Sequence, residues 1–441
     1  MSKLRISPFF KQCFVTAAVC FTTIAHGNTF GLPAILLPQL QKPGGDSNIL
    51  ITKEEGSWIA SVPAVTLLIG SFMAPPIMGR LGRRVAHFVV IVALLLGWLA
   101  IVLANDLKII LLGRTIHGMS FGLMLPLRSV LIGEYTSPKN RGAFLTAMSF
   151  SQGFGILLIH FVGSLVAWHH AIFILSTFPI VSLLMTFFTP ETPSWLADKG
   201  RYEKSREVFR WLRGDGEEEE LEAMINTTSN RAKTSPISNC GDLVSLVRKK
   251  KFYKPIIIMW HCYMMTEFSG GALMSNYSAT VIGLVAGPAV NPNFWMVALD
   301  IQRSISTFMA VFVVRKIRRR VMLISTGGLC AFSNLAIACY IYTRDHGILT
   351  YTASWIPLLL INLQFFSVAV GLLTLPYVIA GEIFPLEYRS IGGSISIVAI
   401  ASGYFLVTKT FPTLVSTIGG HGTYALYGVW LLYNLTVVSF M

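Results

Sequence analysis

The sequence predicts an all-α membrane protein with twelve transmembrane helices in two parallel six-helix repeats. Three observations carry this. Hydrophobic residues make up 53% of the 441 residues and charged residues only 13%, against about 25% charged in soluble domains. The apolar residues gather into twelve long runs parted by short polar loops. Two kinds of loop motif recur at matching places in the two halves of the chain.

The runs cover 12–33, 57–78, 85–104, 109–133, 143–167, 170–189, 255–285, 294–314, 321–342, 354–380, 391–412 and 423–441. A helix of ~20 apolar residues crosses the ~30 Å bilayer core, whereas barrel strands are shorter and alternate. The first run is too long, and followed by too many others, to be a cleaved signal peptide. Disorder is excluded by the apolar content. A secreted disulfide scaffold is excluded by length and by six scattered cysteines, which read as packing residues. Between spans six and seven lies one large polar segment with 13 Lys/Arg and 11 Asp/Glu. The chain therefore divides into an N-terminal six-helix bundle (1–189), a cytosolic helical linker (190–254) and a C-terminal six-helix bundle (255–441).

Orientation follows from the basic residues. With the N-terminus inside, inner segments hold 27 Lys/Arg and outer loops 4, the other 4 lying within spans. The N-terminus is therefore expected to be cytoplasmic. The formal charge of +14 then reads as topology and contact with anionic membrane lipids, with no nucleic acid needed. Asn276 and Asn434 open glycosylation-type triplets but fall inside spans, which discounts them.

The repeat is read from two motifs. Gly79-Arg80-Leu81-Gly82-Arg83-Arg84 follows span two, and Arg315-Lys316-Ile317-Arg318-Arg319-Arg320 follows span eight. Gly133-Glu134 leads to Pro138 and Arg141 after span four, and Gly381-Glu382 leads to Pro385 and Arg389 after span ten. Two motifs duplicated in register imply a parallel duplication, and two such halves commonly rock about a midplane site. Ion pairs among Arg83, Arg84, Glu134, Arg141, Arg319, Arg320, Glu382 and Arg389 are expected to hold the cytoplasmic gate shut and to break as it opens. Exposed pairs are worth ~0–1 kcal/mol each, enough to bias a two-state equilibrium.

These residues resemble the sugar porter branch of the major facilitator superfamily over nearly the whole chain. The likeness rests on the 79–84 motif, Gly113-Arg114, the 133–142 motif, Pro190-Glu191-Thr192-Pro193-Ser194-Trp195-Leu196, Lys199-Gly200-Arg201 and Gly381-Glu382-Ile383-Phe384-Pro385. The stretch 381–411, with Val407-Thr408-Lys409-Thr410-Phe411, looks most like the insect facilitated trehalose transporters of that family. The resemblance implies the major facilitator fold, a sugar such as trehalose or a hexose as substrate, and no cofactor. The chain departs from the family at several sugar contacts. The paired Gln of span seven falls on Thr266 and Glu267, and the Asn shortly after on Ala272. The Gln of span five falls on Ser149, the Trp of span ten on Tyr377 and the Asn of span eleven on Ile400. The family's terminal Pro-Glu-Thr segment has no counterpart, so the chain reads as truncated after helix 12.

Ionisable residues within spans are costly and usually functional. Arg114 matches the family's span-four Arg, which in proton symporters faces an Asp of span one. Here Asn28 and Thr29 stand near that place, which favours facilitated diffusion. Glu267 and Arg303 both fall near the midplane, with Asp300 one turn from Arg303. One reading is a self-neutralising Glu267–Arg303–Asp300 cluster; the other gives Glu267 a substrate or proton-coupling role. Arg128, near the inner end of span four, is expected to snorkel to the phosphates, and otherwise lines the cavity and attracts an anion. His160 reads as a bonded packing histidine. Gly118 and Gly122 form a small-xxx-small pair for close helix packing, and Gly270-Gly271 a gating bend. The expected cavity residues are Ser149, Gln152, Thr266, Glu267, Tyr277 and Tyr377.

In the linker, Thr192 caps and Pro193 opens a helical stretch over 194–213, amphipathic through Trp195, Leu196, Tyr202, Val208, Phe209 and Leu212. Glu217–Glu220 reads as a solvated face, and Arg248–Lys251 as a lipid-phosphate contact. No nucleotide-binding loop, metal-ligand cluster or nucleophile–base spacing is seen, which disfavours an ATP-driven pump or an enzyme. The expectation is an alternating-access carrier of a small solute, a sugar before others, in the plasma membrane. The alternatives are a carrier for an organic anion using Arg128 or Arg303, and a non-transporting sensor with the same fold.

Overall fold

The computed structural model describes residues 7–42, 49–231, 250–287, 290–348, 355–384 and 389–440. The first five spans are single helices: α1 (Pro8–Leu40), α2 (Lys53–Leu81), α3 (Arg83–Val102), α4 (Leu107–Tyr135) and α5 (Pro138–Leu165). Span six is α6 (Trp168–Leu175) and α7 (Thr177–Phe188), broken at Ser176. Span seven is α11 (Lys250–Thr266) and α12 (Ala272–Ala286), joined by a π turn at Glu267–Gly271. Spans eight and nine are α13 (Pro292–Lys316) and α14 (Arg319–Asp345). Span ten is α15 (Trp355–Ser367) and α16 (Leu375–Ile383), again parted by a π turn, Val368–Leu372. Spans eleven and twelve run as α17 (Arg389–Phe440), bent at Gly419. The linker contributes α8 (Pro193–Asp198), α9 (Tyr202–Arg213) and α10 (Glu218–Arg231).

Among the described residues ten helical segments are long and apolar enough to cross a membrane, and the segment Ser396–Phe440 among them contains two spans. With the interrupted span seven, the twelve expected crossings are present. Starts are fixed locally. The Thr52 hydroxyl accepts from the Glu55 amide while the Glu55 carboxylate accepts from the Thr52 amide, a capping box that opens α2. Asp106 Oδ1 accepts from the Ile109 amide at 2.9 Å and opens α4.

The first half closes by backbone approach. A Cβ on Gly118 would lie 2.4 Å from the Pro63 carbonyl, and one on Gly122 2.1 Å from the Leu67 carbonyl, so the expected small-residue pair seats α4 on α2. Gly27 of α1 and Gly155 of α5 meet in the same way. Across the halves, α1 packs on α12, α2 on α17 and α5 on α13.

The linker docks on the first half. Leu196, Val208, Phe209 and Leu212 are buried as expected, but Tyr202 is exposed. The helix over 194–213 is interrupted at 199–201, where Gly200 ends α8. The acidic run is not merely solvated. Arg213 meets Glu217 at 3.2 Å and Glu220 at 2.9 Å, and Arg210 meets Glu218 at 2.7 Å. The side chains of Arg248–Lys251 lie outside the described residues.

The breaks in spans seven and ten are built, not frayed. Gly270 has φ +100, where an L side chain clashes with its own carbonyl. The Ser269 carbonyl, freed from the helix, accepts from Gln364 Nε2 at 2.8 Å, and Gln364 is anchored in turn to Asn334 Oδ1 at 3.1 Å. The Leu372 carbonyl in the other π turn accepts from Thr266 Oγ1 at 2.7 Å. Non-helical backbone survives at membrane depth because neighbouring side chains satisfy it. A Cβ on Gly270 would sit 2.4 Å from Gln364 Nε2, whereas one on Gly271 meets Val368 at 3.3 Å. Gly270→Ala is therefore expected to cost ~1–2 kcal/mol in strain and ~1 kcal/mol in the lost Gln364 bond. Thermal unfolding in detergent should fall by several degrees for Gly270→Ala and far less for Gly271→Ala.

Candidate functional site

The two halves enclose a cleft. One end, the linker face, carries α8, α9 and α10; the opposite end is the far face. At the far face the halves are tied by hydrogen bonds at two places. Lys409 Nζ of α17 donates to Ser57 Oγ of α2 at 2.8 Å and stands 4.0 Å over the Trp58 ring. His160 of α5 meets Asp300 of α13, Nδ1 to Oδ2, at 2.5 Å. Below them Phe30 of α1 packs edge-on against Tyr404 of α17, centroids 5.6 Å apart. Toward the linker face the cleft is accessible, and Tyr377 is 46% exposed.

Arg128 supplies the cleft's positive wall. It points inward, correcting its expected place at the lipid phosphates. Its Nη1 donates to Gln152 Oε1 at 3.0 Å and its guanidinium lies 6.0 Å from the Phe121 ring. Across the cleft, the Tyr377 hydroxyl lies within electrostatic reach of both Arg128 and Glu267. Glu267 opens the π turn of span seven, 8% exposed, with its side chain against Gly403 of α17. No ion pair reaches it among the described residues. Asn276 Nδ2 donates to Tyr404 Oη at 2.8 Å on the far side of the cleft. A narrow crevice continues there, lined by Thr29, Phe30, Leu67, Arg114, Phe121 and Tyr404 among others.

Of the six expected cavity residues, Gln152, Glu267 and Tyr377 come together at the cleft. Thr266 is spent on the Leu372 carbonyl. Tyr277 is a correction: its hydroxyl donates to the Thr408 carbonyl at 2.9 Å and its ring packs on Phe411, buried between α12 and α17. Ser149 is exposed with its hydroxyl turned to the Leu145 carbonyl of its own helix. Sequence reasoning missed Tyr404, Lys409 and Asn276. The signal for Asn276 was an amide deep in an apolar run, which an incidental glycosylation triplet masked.

The intramembrane charges are sorted differently from the expected cluster. Arg303 reaches Asp300 at 3.0 Å and Ser275 at 3.3 Å, but the third partner is His160, not Glu267. Arg114, 1% exposed, donates to the Ile59 carbonyl at 2.9 Å and the Thr29 carbonyl at 2.6 Å. Backbone oxygens thus stand where a carboxylate partner is absent.

The repeated loop charges brace each half separately. Arg83 pairs with Glu134 at 3.2 Å inside the first half, and Arg319 with Glu382 at 3.3 Å inside the second. Arg84 donates to the Phe187 carbonyl, Arg141 reaches Glu220 at 3.8 Å, and Arg320 donates to the Ser439 carbonyl. The side chain of Arg389 lies outside the described residues. Each of the two pairs lies within one half, so neither bridges the halves. Glu191, overlooked as a functional residue, accepts the backbone amides of Arg83 and Arg84 and fixes the start of α3.

Residues 12–441 match the family described as Sugar (and other) transporter. The Facilitated trehalose transporter Tret1 of Apis mellifera ligustica is 28% identical over 423 residues, covering 95% of this chain and 81% of the relative. The protein of the same name from Bombyx mori is 28% identical over 395 residues, covering 88% and 76%. The xylose transporter XylE from E. coli, solved in a partially occluded inward open conformation, superposes with TM-score 0.77 at 16% identity, covering 97% of both chains. At that identity the likeness speaks for the fold.

The far-face contacts generate a prediction. Lys409→Met removes the cation–π contact and the Ser57 bond, worth ~1–2 kcal/mol together. Nitroxide labels at Ser164→Cys of α5 and Asn293→Cys of α13 should then show the longer-distance population rising about tenfold or less, read by pulsed electron paramagnetic resonance.

Proposed function

We propose that this chain, which belongs to the Sugar (and other) transporter family, carries a neutral sugar of the size of trehalose or a hexose across a membrane by alternating access and facilitated diffusion. The protein is a multi-pass membrane protein and a sugar carrier of the major facilitator fold. The reading is supported above all by a polar cleft between two six-span bundles, tied shut at one face and accessible at Tyr377 toward the other. Trehalose carriage is what the names of the relatives from Apis mellifera ligustica and Bombyx mori state for those proteins.

The cleft suits hydroxyl groups. Tyr377 and Gln152 offer donors and acceptors, Glu267 accepts and Arg128 donates. Each of these interactions is worth ~1 kcal/mol between neutral groups and ~1.5–3 kcal/mol with a charged one. The exposed ring of Tyr377 supplies apolar area for the face of a sugar ring. Bundles 1–189 and 255–441, joined by 190–254, would then rock about this site. The Lys/Arg bias supports a cytoplasmic linker face and with it an inward-opening cleft, in a carrier of the plasma membrane. The carbonyl-bonded Arg114 supports uncoupled transport, because the carboxylate that would exchange a proton against it is missing.

Counterflow of labelled trehalose and glucose in proteoliposomes tests this, because it needs only alternating access. A saturable signal is expected, and a pH gradient should not drive accumulation. Tyr377→Phe should raise the half-saturation concentration about tenfold, for ~1–1.5 kcal/mol lost. Glu267→Gln should leave the pH response as in wild type. Absence of counterflow from folded protein would overturn the reading. Gradient-driven accumulation lost in Glu267→Gln would replace facilitated diffusion with proton coupling.

A further inference from the structure

We propose that His160 and Asp300 form a proton-binding site whose occupation locks the far face shut. The inference rests on the alternating-access reading. Its geometry is specific. His160 is fully buried and Asp300 4% exposed. His160 Nδ1 lies 2.5 Å from Asp300 Oδ2, and Nε2 lies 3.2 Å from the Gly31 carbonyl of α1. Gly31 permits that approach, since a Cβ there would stand 3.0 Å from Nε2. The two bonds join α5 to α13 across the halves and to α1 within its own half.

A hydrogen inventory carries the argument. A carboxylate and a carbonyl oxygen only accept, and a neutral imidazole brings one N–H. Two contacts to acceptors therefore hold only one hydrogen unless the pair gains a proton. Without it, two lone pairs face each other in a water-free interface, a costly arrangement. With it, both contacts are hydrogen bonds, and this holds whether the added proton resides on the ring or on the carboxyl, so the proton belongs to the pair.

The surroundings complete the count. From α13, Asp300 and Arg303 face the site, with Arg303 Nη2 3.0 Å from Asp300 Oδ1. From α12, the Ser275 hydroxyl takes Arg303 Nη1 at 3.3 Å. From α1 the group is a carbonyl. Arg114 of α4, the next cation along α1, is occupied with the Thr29 and Ile59 carbonyls. When the far face opens, α5 parts from α13. Asp300 keeps Arg303, one turn away on its own helix, while His160 meets water and gives up the proton. The closed state thus holds one proton more than the open one. Lowering the pH favours closure and raising it favours opening, with a limiting change of ~10-fold in the ratio per pH unit. The proton enters from and returns to the far side, so it gates the carrier without being carried.

The test uses the full chain with its six native cysteines replaced, nitroxides at Ser164→Cys and Asn293→Cys, and Lys409→Met to populate both states. Between pH 8 and pH 5.5 the short-distance fraction should rise severalfold. In His160→Gln the ratio should not respond to pH; Asp300→Asn serves if that variant does not fold. Two distance classes whose ratio ignores pH, or an unchanged response in the variant, would overturn the proton site alone. One distance class at every pH and with saturating trehalose or glucose would overturn the alternating-access reading with it.

Discussion

Inside a bilayer no water is available to complete a hydrogen bond, so every backbone group and charge at that depth must find its partner in the protein. The whole arrangement depends on how that demand is met at the broken middle of span seven. The chain makes an irregular turn there that opens at Glu267. It keeps the turn by giving the freed Ser269 carbonyl to Gln364 and the Leu372 carbonyl to Thr266. The two interrupted helices thereby brace each other and form a stiff wall for the second half.

The same demand separates the polar groups into structural and functional sets. Arg114, Thr266, Tyr277 and Gln364 all have backbone partners and hold the bundle together. Arg128, Tyr377 and Glu267 do not have their capacity filled and face the cleft. Lys409 and His160 do something else: each has a partner in the opposite half. Contacts of that kind exist in one state of a rocking carrier and vanish in the other, so small energies at the far face set the balance between states.

The spans and the repeat were legible because apolar run length and motif spacing are local properties of the chain. The facing of individual residues was not. Helices apolar on all sides carry little amphipathic signal, so Arg128 near a helix end was equally compatible with lipid phosphates and with the cleft. Tyr277 was misplaced because a π turn inserts a residue, rotating everything beyond it by ~100° relative to ideal α phasing. The His160–Asp300 contact joins residues 140 positions apart, and no periodicity reports such a pairing.

Alternating access requires that the two faces move in opposition. Nitroxide pairs on one protein background read this directly: Ser164→Cys with Asn293→Cys at the far face, and Lys139→Cys with Lys316→Cys at the linker face. Conditions that lengthen the far-face distance should shorten the linker-face distance by a matching population. Faces that open together, or one face that moves while the other stays fixed, would contradict the account.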